Sequence, residues 1–350
     1  MTLSNSEALR LARECIPKMI ENNHVPEDFD LANLCEKDLK VKSVCRLWAG
    51  MGYIYEITVK GRFHIIVKHI VPPPKQSRSF GDRRKAVSYE VEANFYRNIA
   101  PMLIADHKLS IPVPFHVEND SDNSITICMS RLEGSPGYLS DEDQIHLALK
   151  WMATLHAATW EKADNFVEEK GLQPIGSYWH LDTRPSEHDS MPRRGWEGRL
   201  KRAARAIDER LKRDPMQCVI HGDLKDANML FSNDSVGIYD FQYCGKAPPT
   251  VDLAYFFCVA VGNADDEYLE FYHNQLVSLL GTRSCKPPTF MQLKESLSIA
   301  FCDFQRFMSG WGQWGSDISH HVIEVLNRLD GGTMLQSEDA YREAMLVGFG

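Results

Sequence analysis

Val219-Ile220-His221-Gly222-Asp223-Leu224-Lys225-Asp226-Ala227-Asn228-Met229-Leu230-Phe231, continued by Ile238-Tyr239-Asp240-Phe241-Gln242, is the stretch whose reading decides the fold. One apolar run ends at His221 and another opens at Met229. The turn Ser232-Asn233-Asp234-Ser235 then leads into a further apolar strand that closes on Asp240. Asp223 and Asn228 stand five residues apart and Asp240 follows twelve later, so a hairpin can bring three oxygen-bearing side chains together. Phosphoryl transfer from ATP needs such a set. One carboxylate orients a hydroxyl and takes its proton, while an amide and a second carboxylate hold Mg²⁺ on the phosphates. Each acid alone reads as part of a solvated turn; the joint spacing between apolar strands carries the chemistry.

Upstream, a helix is expected over residues 5–22, followed by three strands between Val41 and Ile70. The first ends at Trp48 and gives way to the loop Ala49-Gly50-Met51-Gly52. The second then places Tyr53, Tyr55, Ile57 and Val59 on one face and Ile54, Glu56, Thr58 and Lys60 on the other. Lys60-Gly61 reads as a tight turn, and Phe63 to Ile70 as the third strand. It carries Lys68 in an apolar run, where an ammonium is costly to bury without a partner. A Pro-rich, basic insertion (71–84) precedes a helix over about 85–100. Its Glu90 and Glu92 lie about 200° apart, so only one can share the side of Ser88, Phe95, Tyr96 and Ile99; that one is Glu92. Strands over 112–117 and 124–129 flank a polar turn at 119–123.

Beyond Gly134 the pattern becomes helical. Ser140 with Asp143 resembles a capping box for a helix to about Thr159. Further helices are expected around Trp196–Leu211 and over 251–280 and 290–309. The chain is therefore an α+β protein, with a β-rich part at 1–129, a connection at 130–134 and a mostly helical part at 135–350.

The pattern H-G-D-x-x-x-x-N with the later D-F resembles the kinase-like superfamily, in its aminoglycoside phosphotransferase and choline kinase branch. Within that branch the chain looks most like choline-kinase-like and ecdysteroid-kinase-like proteins, over about Val41 to Phe257. The resemblance implies a bilobed protein-kinase-like fold: a nucleotide-binding lobe, a hinge and a catalytic lobe, with ATP and Mg²⁺ as cofactors. It also implies roles. Asp223 becomes the catalytic base, Asn228 and Asp240 the metal ligands, and His221 a structural anchor of its loop. Asp252 becomes a brace for that loop, and Lys225 a partner of the transferring phosphoryl group. Lys68 would grip the α- and β-phosphates, paired to Glu92, a choice with which the family pattern E-x-x-F-Y agrees. Gly50 and Gly52 would let the loop cover the phosphates with backbone N–H groups, and Ser130 and Leu132 of the hinge would meet adenine through their backbone. Asp-Phe-Gln in place of Asp-Phe-Gly, a dozen residues between Asp240 and Asp252, and the lack of an A-P-E argue against a protein kinase.

The acceptor is expected to be a hydroxyl of a small molecule. Amino alcohol, sterol-like alcohol, sugar and antibiotic stay open, as does oligomeric state. A pseudokinase that binds nucleotide or metabolite without turnover is the alternative. Aromatics at Phe301, Phe304, Phe307, Trp311 and Trp314, and Trp179 with His180 and Asp182, fit either a helix core or a cation–π box. The basic helix with Arg199, Lys201, Arg202, Arg205, Arg210, Lys212 and Arg213 reads as a solvated face or, less simply, a docking face for an acidic partner. With 39 basic and 48 acidic residues the 350-residue chain carries −9, which argues against a general nucleic-acid binder. Nine scattered cysteines without C-x-x-C spacing point to reduced thiols in the cytoplasm. The N-terminus lacks the apolar core of a signal peptide, and no run is long enough for a membrane span.

Overall fold

Alternation in the N-terminal third builds a five-stranded antiparallel sheet of β1 (Leu39–Arg46), β2 (Gly52–Val59), β3 (Phe63–Ile70), β4 (Pro114–Asn119) and β5 (Ile125–Met129). Its order is β1-β2-β3-β5-β4. The structure is a computed structural model that describes residues 3–120, 123–262, 265–282 and 285–349. Residues 121 and 122 of the expected turn lie outside the described residues. The chain divides into two units, one of residues 1–134 with 237–242, the other of residues 135–236 with 243–350. The return of 237–242 into the first unit is a division the sequence reading did not make.

In the first unit, α1 (Asn5–Glu21) is capped by Ser4, whose hydroxyl accepts from the Glu7 N–H. Its apolar stripe, from Ala8 and Leu11 to Met19, packs on Tyr55, Ile57, Val59, Ile65 and Val67, the alternate positions of β2 and β3. Lys68 falls on the opposite face. It pairs in register with Ile54 on one side and Ile127 on the other, so it sits in the middle of the sheet.

The helix α2 spans Phe80–Asn98, five residues earlier than the apolar pattern suggested. The cause is a capping box: Ser79 accepts from the Asp82 N–H while Asp82 accepts from the Ser79 N–H. A short α3 (Ala100–His107) follows. Strand β1 stops at Arg46, and Trp48–Gly50 form a single 3₁₀ turn. Gly52 has φ +130°, and a Cβ there would lie 2.0 Å from the His69 carbonyl oxygen. Gly52→Ala is therefore expected to destabilise by clearly more than the ~1 kcal/mol typical of point substitutions, measured by denaturant unfolding. A neutral result would mean that the loop has another conformation open to it.

In the second unit, α4 (Glu142–Ala158) is capped by Asp141, whose carboxylate accepts from the Asp143 N–H; Ser140 is not the cap. After it come α5 (Ala163–Glu168), α6 (Pro185–Ser190) and α7 (Gly195–Lys212), then β6 (Cys218–Ile220) and β7 (Met229–Phe231); β8 (Val236–Ile238) starts in this unit and ends in the 237–242 segment of the first. Strand β9 (Gly245–Ala247) pairs antiparallel with β6. The helices α8 (Thr250–Tyr255), α9 (Asp266–Gly281), α10 (Phe290–Trp311), α11 (Ser319–Asp330) and α12 (Glu338–Phe349) complete the unit.

The single helix expected over 251–280 is broken. Phe256–Val261 is a π turn, and Gly262 ends it at φ +76°. The Cys258 carbonyl oxygen accepts instead from the Ser316 N–H and hydroxyl, a partner 58 residues away that no local pattern reveals.

The basic face of α7 is solvated in part, at Arg205, Lys212 and Arg213, and tied to the chain elsewhere. Arg199 binds Asp330 and Asn327, and Arg202 donates to the carbonyls of Leu335 and Gln336. Arg205 pairs with Glu338, and Arg210 reaches Asp214 and the Phe349 carbonyl. Lys212 meets Asp182 and Asp208. Arg199, Arg202, Arg205 and Arg210 thereby seat the last two helices, whereas Lys212 ties to Asp208 of its own helix and to Asp182. The C-terminal partners lie so far along the chain that charge pattern alone could not distinguish an internal clamp from a wet surface.

Candidate active site

Helix phase brings Glu92 to Lys68 in the first unit. The Lys68 ammonium donates to Glu92 Oε2 at 2.6 Å and to Asp240 Oδ1 at 2.9 Å, and both Lys68 and Glu92 are buried. Glu90 is exposed. The Gln242 amide donates to Asp240 Oδ1, and its carbonyl oxygen accepts from Lys85 Nζ at 2.6 Å and from the Ser88 hydroxyl at 3.3 Å. Phe241 fixes the segment by stacking on Phe95, ring centroids 3.8 Å apart, with Tyr96 edge-on at 5.9 Å. Two carboxylates thus share one buried ammonium.

Burial pushes Lys68 down, but the charges of Asp240 and Glu92 outweigh it and hold the amine protonated. Burial likewise pushes Asp240 up. The charge of Lys68, hydrogen bonds from Lys68 and Gln242, and the Lys85 charge outweigh it, keeping Asp240 well below the carboxylate range. Glu92 is the acid that yields: burial, aided by the Asp240 charge, pushes it up to about 7 against the pull of Lys68. Asp240 remains ionised and part open, with no hydrogen bond on Oδ2 among the described residues. Such an oxygen suits a hard cation.

Around this cluster, Gly50 and Gly52 both take positive φ in the loop before β2. The Ser130 N–H donates to the Val113 carbonyl, and the Ser130 hydroxyl accepts from the Val113 N–H, both at 2.9 Å. That N–H is therefore already used, and what Ser130 could offer a base is its carbonyl. Leu132 is half-buried beside Gly237, where an added Cβ would lie 3.1 Å from the Leu132 side chain.

The second unit holds the His-Gly-Asp loop between β6 and β7. The Asp252 carboxylate is fully buried and accepts from the N–H groups of His221 and Gly222, each at 2.8 Å. His156 Nε2 lies 3.3 Å from the same carboxylate, while its Nδ1 meets the Tyr272 hydroxyl at 2.8 Å. Gly222 has φ +81°, and a Cβ there would come 2.3 Å from the Tyr243 carbonyl oxygen. His221 Nδ1 accepts from the Asp223 N–H at 3.3 Å, a turn contact inside the loop.

On the far side, Lys225 Nζ lies 3.0 Å from Asp223 Oδ2. The Asn228 amide nitrogen donates to the Asp223 carbonyl at 2.8 Å and to Oδ2 at 3.3 Å. With its nitrogen so committed, Asn228 keeps its carbonyl oxygen for another partner. Next to Asp223 lies Tyr255, whose hydroxyl is pushed up by burial and then by the Asp223 charge. Tyr178 donates to the Tyr255 hydroxyl at 3.3 Å.

Sequence reasoning missed Gln242, Lys85, His156, Tyr178 and Tyr255. A signal existed for Gln242, as the residue after Asp-Phe, and for His156, as a titratable group among the apolar positions of α4. Nothing local singled out the two tyrosines.

Residues 61–286 match the phosphotransferase enzyme family. Among solved structures, the chain is similar to a choline kinase from Cryptosporidium parvum Iowa II at 10% identity and TM-score 0.54, covering 98% of this chain and 97% of that one. It is also similar to an ethanolamine kinase from Plasmodium vivax at 12% identity and TM-score 0.50, covering 98% and 93%. The GDP complex of an aminoglycoside 2′-phosphotransferase matches at 15% identity and TM-score 0.49, covering 96% and 98%. No curated protein gives a significant sequence match.

Proposed function

The chain belongs to the phosphotransferase enzyme family, and from that premise we propose that it moves the γ-phosphate of ATP, with Mg²⁺, to a hydroxyl of a small molecule. The observation that carries this reading is the buried Lys68 held by Glu92 and Asp240. A sheet interior hosts such a cation only when partners offset the cost of burial, and an ammonium held ready by two carboxylates is suited to the oxygens of a polyphosphate. Lys68 would hold the phosphates, with Glu92 keeping its ammonium in place. The backbone around Gly50 and Gly52 would lie over them, and Ser130 and Leu132 would receive adenine.

Asp240 and Asn228 are assigned to Mg²⁺; each keeps one oxygen uncommitted by hydrogen bonds, the donor type that ion takes. When bound, the ion would neutralise charge on the phosphates. Asp223 would orient the acceptor hydroxyl and accept its proton, with Lys225 supplying local positive charge and His221 and Asp252 holding the loop. A cytoplasmic location goes with this reading: all nine cysteines are free thiols. Among the described residues no helix is long and apolar enough to cross a membrane.

The test is a panel of hydroxylated metabolites assayed for acceptor-dependent ADP release. Mg-ATP binding without consumption by any acceptor or water would favour the binding-protein alternative. Within the same reading, Lys68→Ala should weaken Mg-ATP binding at least ten-fold, because the phosphates lose a cation and Glu92 its partner, whereas Glu90→Ala should leave it unchanged. Calorimetry decides between them, and equal damage from Glu90→Ala and Glu92→Ala would overturn the pairing.

A further inference from the structure

Arg184 stands at the start of α6, buried to 6% exposure, in a cage of three aromatic rings. Its guanidinium carbon lies 5.3 Å from the Tyr178 ring centroid, 5.0 Å from Phe307 and 5.5 Å from Trp311. Nε donates to the Tyr178 carbonyl at 2.7 Å and Nη1 to Glu187 at 3.1 Å, so the group is tied down from two sides. Tyr178 and Phe307 meet edge to face at 5.6 Å, and Trp314 packs edge-on against Phe307 at 5.5 Å. Trp311 is 59% exposed, so the cage has a wall open to solvent.

The cage is continuous with the candidate catalytic carboxylate. Tyr178, whose ring Arg184 covers, donates to the Tyr255 hydroxyl, which the Asp223 charge reaches. Tyr255 is buried and Tyr178 only half-buried, so a molecule whose hydroxyl lies at Asp223 would reach Arg184 over Tyr178. Desolvated aromatic faces attract cations through the ring quadrupole. Here the faces of Tyr178, Phe307 and Trp311 are already taken by a residue of the chain itself, its charge balanced by Glu187, so a second cation finds the rings occupied.

Resting on the phosphotransferase reading, we propose that Arg184 is a resident cation that closes this cage to cationic acceptors, and that the hydroxyl acceptor carries no positive charge. The residue sets which acceptor enters; it has no part in the transfer itself.

The cage is tested by binding, apart from turnover. Tetramethylammonium is titrated into the full-length protein, read by calorimetry and by quenching of tryptophan fluorescence. Wild type and Arg184→Lys should show no saturable binding, while Arg184→Ala and the bulkier Arg184→Gln should gain it, at least ten-fold above wild type. Thermal melts identify variants that fold. In parallel, wild type is offered choline, ethanolamine and uncharged alcohols in the ADP assay. Tetramethylammonium binding to wild type, turnover of choline or ethanolamine by it, or a folded Arg184→Gln without the gained binding would each overturn the proposal. If Arg184→Ala does not fold, Arg184→Gln and the wild-type titration decide. Gained binding in a protein that consumes no ATP with any acceptor would sink the phosphotransferase reading and keep the occupied cage.

Discussion

Replacing Asp223 by asparagine is expected to lower turnover by roughly 10²–10⁴-fold, the range for loss of a positioned general base, while Mg-ATP affinity stays within a few-fold. Asparagine keeps the shape and can still accept from Lys225, which lies 3.0 Å from Oδ2. It cannot take a proton from the acceptor. Asp240→Asn should behave differently and lose magnesium-dependent nucleotide binding together with rate, because a carboxylate held ionised by Lys68, against its burial, becomes neutral. Calorimetry for nucleotide and a coupled ADP assay read the two quantities separately. Full turnover by Asp223→Asn on an identified acceptor would remove the assignment of base.

The second large effect concerns stability. Asp252→Ala should cost about 3–5 kcal/mol, the scale for stripping one partner from a buried charged network. Alanine would orphan the N–H groups of His221 and Gly222 and one ring nitrogen of His156 in a region closed to water. Asp252→Asn should fall between, since its one carbonyl oxygen can accept while its amide opposes the remaining N–H. Urea unfolding measures both, and a loss under about 1 kcal/mol for Asp252→Ala would mean that water or a neighbour replaces the carboxylate.

How far the sequence showed this in advance depends on the reach of each signal. Alternation in β2 and β3, and the phase of Glu90 against Glu92, are local patterns, and the structure puts their apolar face under α1 and Glu92 on Lys68. The caps were legible only in part: Ser79 and Asp82 sat unnoticed in a Pro-rich run, and Asp141 outcompeted Ser140 one residue later. What stayed hidden depends on partners far along the chain. Arg199 finds Asp330, Ser316 replaces a helix bond at Cys258, and Arg184 settles among Tyr178, Phe307 and Trp311. No periodicity encodes such meetings, so the sequence left α7 between a wet face and a docking face, and the aromatic cluster between a helix core and a cation–π box.

The return of residues 237–242 into the first unit governs the order in which the chain can mature as it is made. When Gly134 has been synthesised, every strand of the five-stranded sheet exists. The ring that stacks on Phe95 does not, nor does the second carboxylate for Lys68, nor the Ile238 N–H that donates to the Ser110 carbonyl. At translation rates of about 5–20 residues per second, the roughly hundred intervening residues take on the order of 5–20 s. For that interval the sheet carries a half-neutralised lysine and an open aromatic seat. A nascent chain stalled before residue 237 should therefore be cut by protease within the α2 region, and one stalled well past residue 242, with that segment clear of the ribosome, should resist.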